Sequence, residues 1–317
     1  MTESFRAVLL IALIGLSRPT FGQSTVEKLI EAGRHKLDSG DATGAAAEFD
    51  RAVVLDPKDP RAYFARGVAK TKQGDLDGAS ADYTRAVEAN PRFSQALINR
   101  GAIKWQKGDL DSALGDFNRA IDVDPNAIQA LNARGVIKDA VGDQIGARTD
   151  YYRALQVNPD FLPTYGNRGQ SYYLSRNWDA ALADFVHAST AGMANQDYLQ
   201  LYAWIIRMRK GAAETASRDL SAYLKRRKGD PTDWYSTVSN YLLGKGSEQE
   251  LTAAGASAGD RQKECEMWFY IGMKSLLAGD RATALQDLHK CVDTGARIAS
   301  EYLFAEAELK ALEKPEN

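Results

Sequence analysis

Five glycines stand 34 residues apart, at Gly33, Gly67, Gly101, Gly135 and Gly169. A fixed period of this length means that the chain repeats one supersecondary unit, and that each copy is too small to bury its own apolar face. Other columns keep the same step: Ala45, Ala79, Ala113, Ala147 and Ala181; Phe49, Tyr83, Phe117, Tyr151 and Phe185; Ala52, Ala86, Ala120, Ala154 and Ala188. Gly-Asp pairs recur at 40–41, 74–75, 108–109 and 142–143, and Pro57, Pro91, Pro125 and Pro159 close the first four copies.

Each column has a physical reading. Two antiparallel helices approach closely only where side chains are small, so glycine and alanine mark the crossing and the aromatic fills the space beside it. Glycine tolerates the left-handed turn that ends the first helix, and aspartate caps the second by accepting its orphan N–H groups. Proline stops the second helix. These columns resemble the tetratricopeptide repeat (TPR) family. The resemblance implies an all-α fold, a right-handed α-solenoid of helix–turn–helix units ending in a capping helix.

The match runs over residues 26–193 and thins afterwards. The expected organisation is a signal peptide at 1–22, five regular units in 23–193, a divergent unit with a helical insertion in 194–260, and a last unit with a capping helix in 261–317. In the divergent unit Ala203 replaces the glycine, and Ala216 and Leu220 fit with one inserted residue. In the last unit Trp268, Gly272, Gly279-Asp280, Ala284 and Leu288 return to their columns, and the stretch from Ile298 to Leu312 is apolar at helical spacing.

The leader is read from Arg6, the apolar run Ala7–Leu16, and small residues Thr20 and Gly22 ahead of a cut at Gln23. Ten apolar residues are too few to span a bilayer, which takes about 20. The expectation is therefore an exported protein, periplasmic or secreted, with no integral membrane segment once the leader is removed. No cysteine lies near the cut.

Charge excludes another class. Forty Lys and Arg stand against 42 Asp and Glu, a net of −2 in 317 residues, without the basic excess that phosphate contacts need. No nucleic-acid partner is expected. Three histidines and two cysteines leave little for a metal centre, and no Gly-x-Ser-x-Gly, Walker or His-Glu-x-x-His string occurs. Neither a catalytic group nor a cofactor is expected, and the chain is read as no enzyme.

Four arginines precede the repeat glycine, each with an aspartate sixteen residues on: Arg66 and Asp82, Arg100 and Asp116, Arg134 and Asp150, Arg168 and Asp184. Across a tight hairpin these are expected to be structural ion pairs; the alternative is an arginine ladder gripping an anionic ligand. Lys36, Lys70, Lys104 and Lys138 form a second column, either apolar stems covering the surface or a basic stripe for an acidic partner. Basic runs at 207–210 and 225–228 end helices, where cations complement the dipole. Anionic lipid or cell-wall polymer is the other reading for these runs. Cys265 and Cys291 fall where the two helices of the last unit bring their ends together, so a disulfide is expected in an exported protein, with two buried free thiols as the alternative.

In a TPR stack the first helices line the concave wall, and the groove face lies about 100° around from the packed glycine. That count selects Arg61, Phe64 and Val68, then Gln95, Ile98 and Trp105, then Gln129, Asn132 and Asp139, and finally Gln170 and Tyr173. Anchors mixed with amides suit an extended peptide or partner helix. The same residues could instead pack on the protein's own C-terminal units or on a second subunit. Carboxylate-clamp TPRs are not matched, since Ile30 and Arg34 stand at the clamp positions.

The C-terminal string Cys265-Glu266-Met267-Trp268-Phe269-Tyr270-Ile271-Gly272-Met273 and the turn Leu276-Leu277-Ala278-Gly279-Asp280 resemble bacterial envelope TPR proteins of the NlpI type. That resemblance implies a non-enzymatic adaptor holding an envelope protease or a cell-wall hydrolase. Those proteins are lipoproteins, and this chain lacks the leader cysteine that tethers them. The alternative function is a structural subunit of an envelope assembly that works through its outer surface and forms a homodimer through its C-terminal part.

Overall fold

The computed structural model describes residues 25–191, 196–256, 259–297 and 299–313; the expected leader lies outside them. Among these residues there are seventeen α-helices and no strand. Three hairpins come first: α1 (Thr25–Asp38) with α2 (Ala42–Leu55), α3 (Pro60–Gln73) with α4 (Leu76–Ala89), and α5 (Ser94–Gln106) with α6 (Leu110–Val123). Then follow α7 (Ile128–Ala140), α8 (Gln144–Val157), and the hairpin of α9 (Leu162–Leu174) and α10 (Trp178–Thr190). The remainder comprises α11 (Gln196–Arg209), α12 (Ala213–Arg226), α13 (Trp234–Leu242) and α14 (Glu248–Gly255). It ends with α15 (Arg261–Leu277), α16 (Arg281–Asp293) and α17 (Ser300–Leu312). The fold is an all-α solenoid. None of the described helices is long and apolar enough to cross a membrane.

The repeat columns act as their chemistry requires. A methyl group on Gly67 would stand 2.7 Å from the Tyr83 ring, and one on Gly169 would stand 2.6 Å from the Phe185 ring. The glycine is therefore a contact surface for the aromatic of its own hairpin. Ala45, Ala79, Ala113, Ala147 and Ala181 are wholly buried beside these rings. In the turns Gly74 takes φ 83°, and the Asp75 carboxylate accepts the N–H of Gly78. The fifth repeat lacks this glycine. There Arg176 itself adopts φ 59°, and Asn177 caps α10 through the N–H of Ala180. After α2, α4 and α6 an Asx turn precedes the next repeat: Asp56, Asn90 and Asp124 each accept the N–H two residues on.

The described residues fall into two compact units. One holds those up to Lys138 together with Tyr152–Pro159; the other holds Asp139–Tyr151 and those from Asp160 on. In the first, α2 packs on α3 and α4 on α5, so each hairpin covers the next. In the second, α11 and α12 form a further hairpin whose Ala203, Ala216 and Leu220 are buried. Helix α14 starts with a capping box between Ser247 and Glu250. The terminal helix α17 packs on α16 and α15 and also reaches α9.

Candidate functional site

The first-helix wall is more closed than its sequence pattern indicates. In the first compact unit Phe64, Val68, Ile98 and Asn132 are buried. Phe64 meets Phe93 at 4.9 Å and Tyr83 at 5.8 Å between ring centroids, so it wedges the second repeat against the start of the third. These four residues are interior residues, a correction to their place in an open groove. The reason is geometric: a face 100° from the crossing glycine is the one that meets the neighbouring hairpin. What stays accessible is Gln95 and Arg61, with Gln129 and Trp105 half-buried. Arg61 is held by a bidentate contact to Asp59, with Nη2 to Oδ2 at 2.7 Å, and by Glu27 at 3.5 Å.

In the second unit Tyr173 is 1% exposed. Its ring stacks on Phe304 of α17 with centroids 4.0 Å apart, and its hydroxyl donates to Glu308 Oε1 at 3.1 Å. Arg176 and Arg209 close on the same carboxylate at 3.1 and 2.7 Å. Tyr173 is thus a core residue covered by the protein's own terminal helix, the second correction to the wall. Gln170 is half-buried. Asp139 accepts Ser171 Oγ at 2.8 Å and the Tyr151 hydroxyl at 2.9 Å, and burial pushes its carboxyl up to about 7. Surface depressions of about 430 Å³ at Pro125, Arg153 and Val157 and about 600 Å³ at Arg261, Trp268 and Lys290 take in none of the wall residues.

Three arginines of the column make two-pronged contacts inside their hairpins. Nε and Nη2 of Arg66 lie 2.9 and 2.6 Å from the oxygens of Asp82; Arg100 to Asp116 measures 2.8 and 2.6 Å, and Arg168 to Asp184 2.8 and 2.7 Å. Hydrogen bonding to Asp82 holds the Arg66 guanidinium above its ordinary value. Arg134 donates to Asn118 Oδ1 at 2.8 Å; its pairing with Asp150, which lies in the other unit, stays a proposal from the repeat pattern. Lys70 and Lys104 add a second cation to Asp82 and Asp116 at 2.8 Å, and Lys36 meets Glu48 at 2.8 Å. These three lysines are held by the acid column, which leaves less of a basic stripe. A twelve-residue offset from lysine to acid was present in the sequence as the sign of this.

Members of both basic runs are paired as well. Arg209 holds Glu308, Lys210 contacts Asp179, and Arg227 binds Asp197 at 2.7 Å and Asp233 at 2.6 Å. The buried glutamates escaped notice in the sequence. Glu301 and Glu308 lie on the helix-period stripe with Phe304, Ala305 and Leu309, and an acidic residue at such a position was the available signal.

Cys265 and Cys291 are both buried and their sulfurs lie 2.6 Å apart. The hydrogen bond to Cys265 and then burial push the Cys291 thiol up. A bridge between them is a proposal, and it would enclose a segment spanning 26 residues. On loop-entropy grounds it is worth about 3–4 kcal/mol. Titrating the unreduced, denatured protein should find no free thiol; finding two would refute the bridge. Among the described residues no group of three or more His, Cys, Asp or Glu could hold a metal ion.

With this geometry in hand, the comparisons with known proteins agree on the repeat. The profile of the tetratricopeptide repeat matches residues 30–91, 70–128 and 98–163. No curated protein matches the chain. Among solved structures, a tetratricopeptide repeat protein from Parabacteroides merdae is 19% identical and superposes with a TM-score of 0.54, covering 91% of this chain and 99% of that one. Pseudomonas aeruginosa PilF is 16% identical with a TM-score of 0.58, over 65% of this chain and 93% of its own. PilW, a type IV pilus biogenesis factor, is 19% identical with a TM-score of 0.57, over 65% and 97%. At these identities the likeness is one of fold.

Proposed function

We propose that this chain is a non-enzymatic scaffold that holds a peptide or partner helix on the first-helix face of its regular repeats. Tetratricopeptide repeats are protein-binding modules, and the repeat profile covers the segment that carries this face. The observation that carries the reading is the strip of Gln95, Trp105 and Gln129, which keeps polar and aromatic surface at least partly accessible beside the buried Ile98 and Asn132. Amides there can bond a backbone, and Trp105 supplies an anchor of the kind that dominates binding energy.

The leader pattern at 1–22 supports export, and the C-terminal resemblance supports a bacterial envelope setting with a protease or cell-wall hydrolase as partner. The structural likeness to a pilus biogenesis factor fits an assembly role. A second reading, a structural subunit using its outer surface, draws support from Val54, Val141 and Ile145, all strongly exposed.

The test is capture of a partner by the mature protein, repeated with Trp105→Ala. A loss of affinity of at least about tenfold with unchanged helicity favours the groove. Undiminished binding by the variant would overturn the groove and favour the outer surface.

A further inference from the structure

Two buried glutamates tie helices of the second compact unit together, Glu301 joining α17 to α11 and α15 and Glu266 joining α15 to α11 and α13, and neither pairs with a cation among the described residues. Glu266 on α15 accepts the indole N–H of Trp234 at 2.6 Å, the Gln262 amide at 3.0 Å and the Tyr198 hydroxyl at 3.1 Å. Glu301 on α17 accepts the Tyr202 hydroxyl at 2.6 Å and the Tyr270 hydroxyl at 3.1 Å. Tyr198 and Tyr202 are one turn apart on α11, and Glu266 and Tyr270 are one turn apart on α15. Together they make two rungs that tie three helices at one level. Both carboxyls are about 3% exposed, and neither forms an ion pair among the described residues.

We propose that Glu266 and Glu301 form a pH-sensitive latch, which seats α17 while a carboxyl of the pair is protonated and loosens it when both ionise. A buried carboxylate without a cation is strongly disfavoured, whereas a carboxylic acid among hydroxyls is readily accommodated. The groups facing the pair offer no rescue. From α11 come Asp197, Tyr198 and Tyr202; from α13, Trp234; from α15 and its cap, Asp260, Cys265 and Tyr270; from α16, Cys291. Every ionisable member of this set is neutral or negative. Two cations of this unit are engaged elsewhere: Arg227 with Asp197 and Asp233, and Lys263 over the Trp234 ring at 5.0 Å.

Burial, reinforced by Glu266, pushes Glu301 up to about 7 from an ordinary 4.5; burial also raises Glu266. The sign follows. The seated state binds the proton more tightly than the released one, so its advantage is complete below about 4.5 and is lost as pH rises through about 7. Release would uncover Tyr173 of α9 and Phe304 of α17, whose rings now stack on each other. That α9 would then offer ligand surface rests on the scaffold reading above; the latch does not.

Hydrogen exchange of the full-length protein, read on peptides from 300–312 and corrected for intrinsic pH dependence, tests the latch directly. Between about pH 5.5 and 8 the opening of α17 should rise about 10- to 30-fold. Glu301→Gln keeps the shape without the charge and should remove most of that rise. Should this variant fail to fold, Glu266→Gln is read in its place, with the same expectation. A wild-type opening that does not change with pH, or a neutral variant that keeps the full rise, overturns the proposal.

Discussion

Replacing Arg100 by alanine should destabilise the protein by about 3–5 kcal/mol, far more than a surface charge would. The side chains of Arg100 and Asp116 are 11% and 4% exposed, and their contact is two-pronged at 2.8 and 2.6 Å. Alanine would leave the Asp116 carboxylate buried with Lys104 alone, and would also remove the donor to Thr84 Oγ1. The loss comes mainly from stranding a charge rather than from the pair's net worth. The double variant Arg100→Leu/Asp116→Leu should therefore recover much of it. Urea denaturation of the single and double variants measures both numbers. A single variant within about 1 kcal/mol of wild type would show that the arginine column is not structural and would revive the ligand-ladder reading.

The second large effect belongs to Phe304. This side chain is wholly buried, stacked on Tyr173 at 4.0 Å and met edge-on by Tyr202 at 5.0 Å. Truncation to alanine should cost about 3–5 kcal/mol, because the surrounding rings close the gap only in part. Exchange should rise first in α17 and next in the face of α9 that it covers. Thermal and urea melts give the size of the effect, and peptide-level exchange gives its location. A loss below about 1 kcal/mol, or exchange rising evenly along the chain, would mean that the terminal helix is not integral to its unit.

The helical hairpins were legible because the period forces them: glycine, alanine and aromatic recur at positions whose only common use is a close helix crossing. The divergent stretch was legible in part. Ala203, Ala216 and Leu220 keep their burial although the register slips. The candidate wall was legible least. A 100° rotation from the glycine points Phe64 and Val68 toward the next hairpin, and which side of that line remains open depends on inter-repeat packing that no single copy encodes. Tyr173 misled for a different reason. Its neighbours Phe304 and Glu308 come from more than 130 residues along the chain, a distance over which a local pattern carries no information.

The arginine column has a third contact that looks backward. Arg66 Nη1 donates to Asp50, Arg100 Nη1 to Thr84 and Arg134 Nη1 to Asn118, each sixteen residues earlier and in the preceding repeat. Two prongs of each guanidinium clamp its own hairpin, where the acid is known for Arg66 and Arg100, and the remaining nitrogen clasps the predecessor. The stitching is polar: in these three repeats the later copy holds the one before it. The first repeat has Ala32 at this position, so it is held but holds nothing, and it is the place from which this unit should unzip. Loss of order would then travel down the array one clasp at a time, a directional cooperativity written into a single side-chain type.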